Sequence, residues 1–184
     1  MSKDAVIVSV ARTPIGKAYR GAFNNLEAPS MMAHAIKHAV TRAGIDSAEI
    51  DDCIIGAALQ QGTQSSNLGR IAAIAAGLPT SVSGMTIDRQ CSSGLMSIAT
   101  AAKQIVMDGS PIVVAGGCES ISLVQNEHMN ITRIIDPLAI ANSPDIYMGM
   151  LDTAELVANR YNISREAQDE YAAQSQQRTA AGQA

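Results

Sequence analysis

Tryptophan is absent, and Phe23 with four tyrosines supplies every aromatic side chain of the 184 residues. Platforms for stacked bases need aromatic faces, so this scarcity excludes a single-strand nucleic-acid binder. Positive charge is short as well. Thirteen Lys and Arg against 17 Asp and Glu leave a net charge of −4 and a pI near 5.3, which argues against a surface for nucleic acid or acidic membrane. Cysteines number three, Cys53, Cys91 and Cys118. An odd count with no CxxC pair is neither a disulfide framework nor a zinc site, and a reducing compartment is expected. No apolar run approaches the ~18 residues that a bilayer span needs. No basic leader with an apolar core opens the chain, so a cytoplasmic location is expected. Two motifs also fail on inspection. Gly62 and Gly69 are wrongly spaced for a phosphate loop, and Arg70 stands where no lysine-serine pair occurs. His34 and His38 lie four apart, but Ala35 occupies the place where a zinc hydrolase carries glutamate, so no metal is expected.

What is present is small and aliphatic: 47% of the residues are hydrophobic and 16% charged, ordinary for a globular domain. Residues 5–10, Ala-Val-Ile-Val-Ser-Val, read as a strand covered on both faces. Pro29 opens a helix to Ala43, with Met32, Ile36, Ala39 and Val40 at helical spacing and Gly44 as the stop. A strand over 51–57 holds Cys53, Ile54 and Ile55. A Gln- and Ser-rich loop leads to a short helix over 68–76, then a strand over 84–88, a helix over 92–108 and a strand over 111–115. This β-α-β-α-β-α-β order with short connections predicts a mostly parallel α/β sheet covered by helices. Residues 119–145 break any period and read as an irregular excursion, and helices over 150–160 and 165–181 follow. The expected division is therefore 1–118 and 119–184.

Chemistry concentrates in Asp88-Arg89-Gln90-Cys91-Ser92-Ser93-Gly94. Cys91 falls between the carboxyl end of a strand and the amino end of a helix, the edge that active sites in open α/β sheets favour. Backbone N–H groups and the positive helix end favour thiolate there, and Arg89 is two residues away. The dipole contributes roughly 0.3–1 kcal/mol when exposed, so it assists a nucleophile that still needs a base. Most free cysteines simply pack, and Cys53 is read that way.

The surrounding pattern decides between these readings. Arg89-Gln90-Cys91-Ser92-Ser93-Gly94, followed by Gly116-Gly117-Cys118-Glu119-Ser120-Ile121-Ser122, resembles the thiolase family, the acyl-CoA C-acyltransferases. Arg12-Thr13-Pro14-Ile15-Gly16 is similar to the family's opening. The resemblance runs from about Asp4 to Gln183 and matches only the N-terminal half of a thiolase. It implies a thiolase-like fold, one half of an α-β-α-β-α arrangement with a partly helical loop insertion. It also implies that Cys91 carries the acyl group and that its backbone N–H donates to an oxyanion. Tyr147-Met148-Gly149 resembles the substrate-side loop, so Met148 is expected to bind substrate, although Met150-Leu151-Asp152 adds residues to the usual spacing. Asn67, Arg70 and Arg89 are interface candidates.

The family reaction is cleavage of a 3-ketoacyl-CoA by coenzyme A, or the reverse condensation, and belongs to fatty acid metabolism. Coenzyme A serves as substrate, with no resident cofactor. In the family the other half supplies a histidine base and a second cysteine. Here no His follows His128 and no Cys follows Cys118, so the chain alone is expected to be inactive. It is expected to self-associate or to take a C-terminal half as partner. A non-catalytic truncated or split subunit, and a ketoacyl-carrier-protein synthase relative, stand as alternatives.

Overall fold

The structure, a computed structural model, describes residues 4–184. Two compact units divide the chain, one running to Asn130 and the other spanning Ile131–Ala184.

In the first unit a three-stranded parallel sheet has the order β2-β1-β3, with β1 Asp52–Gly56 between β2 Ser83–Ile87 and β3 Val113–Gly117. Cys53 lies beside Gly84 on one side and Val114 on the other, and Gly56 beside Ile87 and Gly117. β1 is buried because it is central and covered on both faces. Cys53 and Ile55 belong to a core with Met32 and Ile36 of α1 (Ala28–Ala43) and with Leu68 and Ala72 of α2 (Leu68–Ala75). Gly56 meets the opposite layer, α3 (Ser93–Lys103). Each isoleucine of β1 is fully buried, which stabilises the unit by roughly 1.5–3 kcal/mol apiece.

The punctuation works as expected. Pro29 sits in the first turn of α1, and Gly44 at φ +66 ends it in a left-handed cap. α3 gives way at Gln104 to a π-helical turn, Gln104–Asp108, which Gly109 closes at φ +85. The expected strand over 5–10 does not form. Residues 4–10 carry no sheet pairing, and Val6, Ile7, Val8 and Val10 are about 70–75% exposed. An apolar run becomes a strand only with a neighbour to receive its N–H and C=O groups. In the first unit the Val10 carbonyl accepts from the Arg42 guanidinium instead.

Residues 119–130 remain with the first unit and include the short helix α4, Ile121–Val124. The second unit holds α5 Pro137–Asn142, α6 Met150–Arg160 and α7 Arg165–Gln183. α5 stands where no period was legible. Its signal is local: the Asp136 carboxylate accepts the Ala139 N–H at 2.9 Å, and Pro137 follows at the first helical position. Ser164 caps α7 by accepting the Ala167 N–H, and Arg165 pairs with Asp169 at 2.9 Å. None of these three helices has a buried residue.

Candidate active site

β2 ends at Ile87, and six residues later α3 begins at Ser93. Cys91 lies in that turn, exposed to solvent. Side chains of its neighbours knit the turn together. Asp88 Oδ1 accepts the Gln90 N–H at 2.6 Å. Ser92 Oγ donates to the Arg89 carbonyl at 2.8 Å. The buried Ser93 Oγ accepts the Arg89 N–H at 2.8 Å and donates to the Gln90 carbonyl at 2.6 Å. Gln90 stands at φ +49, left-handed for a residue with a side chain.

Glycines let α3 come down onto the sheet at this end. A β-carbon on Gly56 would meet the Ser93 carbonyl carbon at 2.3 Å, and one on Gly117 would meet the Gly94 Cα at 3.0 Å. One turn further on, buried Ser97 Oγ lies 2.6 Å from the Gly94 carbonyl and 2.7 Å from the Gly116 carbonyl, which ties α3 to β3.

Beside Gly56 and Gly117 a second polar cluster closes the strand ends. The Glu119 carboxylate accepts the N–H groups of Ala58 at 2.8 Å and Leu59 at 3.3 Å. Buried Gln64 donates to Glu119 and to the Leu59 carbonyl, and its own carbonyl accepts the Ser120 N–H. The sequence alone points to no role for Glu119 or Gln64. The available signal is a carboxylate two residues after a glycine-ended apolar strand.

The other two thiols differ from Cys91. Burial, with the adjacent Asp52 adding, pushes the Cys53 thiol up to about 12. Burial, with Glu119 adding, pushes Cys118 up to about 12 as well. Both therefore stay protonated at neutral pH and are poor nucleophiles.

The remaining expected site residues lie as follows. Arg89 shares the turn with Cys91, and its side chain is exposed. Asn67 caps α2 from a left-handed backbone at φ +66, accepting the Arg70 N–H at 3.2 Å and donating to the Gly84 carbonyl at 2.8 Å. Arg70 donates to the carbonyls of Val82 and Thr80, so both residues bind α2 to the region of β2. Met148 is half-buried in the second unit, and its N–H donates to the Asp145 carbonyl at 2.9 Å. Exposed His128 lies 3.6 Å from the Glu127 carboxylate. The rings of His34 and His38 are 4.5 Å apart. Among the described residues no three His, Cys, Asp or Glu side chains gather as metal ligands.

Residues 5–184 match the family model for the thiolase N-terminal domain. The chain belongs to the thiolase family. It is 44% identical over 179 residues to the 3-ketoacyl-CoA thiolase of Bacillus subtilis, which covers 97% of this chain and 45% of that relative. An acetyl-CoA acetyltransferase of Cupriavidus necator is 40% identical over 192 residues, 98% of this chain and 48% of the relative. The crystal structure of the Bacillus anthracis acetyl-CoA acetyltransferase superposes with a TM-score of 0.76 at 36% identity, covering 92% of this chain and 45% of that one. The chain thus spans about half the length of the thiolases it matches, their N-terminal half, and its fold is the thiolase-like α/β fold. The ketoacyl-carrier-protein synthase alternative is not the family matched.

Proposed function

We propose that this chain supplies the nucleophilic half of a thiolase-type acyltransferase. The carrying observation is the exposed Cys91 at the junction of β2 and α3, in a chain matching the thiolase N-terminal domain throughout. In the proposed reaction the Cys91 thiolate adds to the keto carbon of a 3-ketoacyl-CoA. The bond between the α and β carbons then breaks, and acetyl-CoA leaves as a carbanion equivalent that takes a proton. The acyl group stays on sulfur until the thiol of coenzyme A attacks it and releases Cys91. Covalent catalysis of this kind divides one hard step into two easier ones. The Cys91 N–H, which has no partner among the described residues, is the proposed oxyanion donor.

Met148 is proposed to line the acyl and pantetheine site, and Asn67, Arg70 and Arg89 to serve a contact between subunits. Coenzyme A enters as substrate, and no resident cofactor is proposed. No helix among the described residues is long and apolar enough to cross a membrane, and a cytoplasmic location is proposed. The histidine base and the second cysteine are proposed to come from a C-terminal half, joined to this one or associated with it.

Thiolysis of acetoacetyl-CoA and of a longer 3-ketoacyl-CoA tests the reading, with and without the C-terminal half of the Bacillus subtilis relative supplied in trans. Activity is expected only with the added half, and Cys91→Ala is expected to remove it. Full activity in Cys91→Ala would overturn the assignment.

A further inference from the structure

The peptide that joins Gln90 to Cys91 is held at its carbonyl by one buried residue, Ser93, whose hydroxyl and N–H both donate to it. Gln90 takes φ +49, a conformation that a residue bearing a β-carbon leaves unless its surroundings hold it there. Its N–H is held by Asp88 Oδ1 at 2.6 Å. Its carbonyl oxygen receives the Ser93 hydroxyl at 2.6 Å, the shorter bond beside the Ser93 N–H at 3.0 Å, and the same hydroxyl accepts the Arg89 N–H at 2.8 Å. Ser93 is 4% exposed, so water does not readily replace these bonds. The Gln90 carbonyl and the Cys91 N–H belong to one planar unit, and fixing the first fixes the direction of the second. Ser93 is itself held firmly, because its backbone lies against Gly56 where not even a β-carbon fits.

We propose that Ser93 is a positioning residue for Cys91: its hydroxyl locks the Gln90–Cys91 peptide plane and thereby aims the Cys91 N–H and thiol for acyl transfer. Ser93 touches no reacting atom. Its effect passes through the backbone, so it depends on the conformational cost at Gln90. This inference rests on the reading of Cys91 as the acyl-carrying nucleophile, but its test uses no acyl-CoA and can fail independently of that reading.

The test is the rate of iodoacetamide labelling at Cys91 and at Cys53, followed peptide by peptide at neutral pH in the full 184-residue chain. Five chains are compared: unchanged, Ser93→Ala, Ser93→Thr, Gln90→Gly, and Gln90→Gly with Ser93→Ala. Ser93→Ala is expected to slow Cys91 about five- to tenfold, the loss of order that follows when a left-handed non-glycine residue is released. Buried Cys53 should stay protected in the same sample, and Ser93→Thr, which keeps the hydroxyl, should label Cys91 close to the unchanged rate. Glycine adopts the left-handed region freely, so in the Gln90→Gly background the loss of Ser93 should change the rate by no more than about twofold. Three results overturn the proposal. They are an unchanged rate in Ser93→Ala, an equal slowing with either residue at position 90, and labelling of Cys53 together with Cys91, which marks a hydroxyl needed only for folding. Failure to find an acyl group on Cys91 would sink its reading as the acyl-carrying nucleophile and leave these rates as they are.

Discussion

Among the three thiols, burial separates Cys91 from the other two, and the separation has consequences that can be measured. Cys91 is exposed, while Cys53 and Cys118 are held protonated by burial. Brief iodoacetamide treatment near neutral pH should therefore label Cys91 first, and early labelling of Cys53 would contradict the placement of β1. Buried Cys53 and half-buried Cys118 also set an alkaline limit. Each thiol is raised from 9.0 to about 12 in the folded chain, so the unfolded chain releases those protons first. Stability is full below about pH 9 and falls as pH rises toward 12, by up to ~1.4 kcal/mol per pH unit for each thiol. Urea midpoints at about pH 8 and about pH 10.5 should differ in that direction. At this scale the sequence singled out Cys91 as the candidate, because a cysteine between a strand end and a helix start stands out, and the structure has it exposed at that junction. It did not reveal Ser93, whose neighbours Arg89 and Gln90 are ordinary by type and come within reach only through the left-handed turn.

Elements were legible wherever a local signal was complete. Pro29, the apolar spacing of α1 and Gly44 together defined one helix, and the apolar centre of β1 marked a strand buried on both faces. The run over 5–10 carried the same apolar signal and failed, because pairing depends on a partner that composition does not specify. The π turn at Gln104–Asp108 was equally hidden, since it keeps the apolar pattern of a helix. Close helix–sheet approach gives a sharper test. In Gly56→Ala the new β-carbon meets the backbone of Ser93 rather than a movable side chain, so a loss of ~1–3 kcal/mol is expected in urea unfolding. At the start of α2, Asn67→Ala removes a cap and leaves a left-handed backbone to alanine. That change should cost about 1–3 kcal/mol, whereas Asn67→Gly should cost only a few tenths. Equal losses for the two variants would mean that the backbone conformation contributes nothing.

Across the whole molecule, apolar surface remains uncovered in the first unit. Leu95 on α3 is 71% exposed and Met107 in the π turn 78%, although the sequence reads as a helix buried on both sides. α3 buries its small face, Ser93, Ser97 and Ala101, against the sheet. Apolar patches beyond a few hundred Å² are uncommon on monomers. Light scattering at micromolar concentration should accordingly show self-association of the 184-residue chain, relieved by an added C-terminal thiolase half. A monomer that binds no hydrophobic dye would contradict this. Alone, the chain should turn over acetoacetyl-CoA far below the ~10 per second of a median enzyme, because nucleophile and base act as a unit. The central claim, that Cys91 carries the acyl group, is tested most directly by trapping that group. The chain is mixed with acetyl-CoA in the presence of the C-terminal half, quenched in acid and digested, and the mass of each cysteine peptide is read. An acetyl group on the Cys91 peptide, absent from Cys53 and Cys118, is the predicted result. An acetyl group on another cysteine, or thiolysis with Cys91 never acylated, would contradict it.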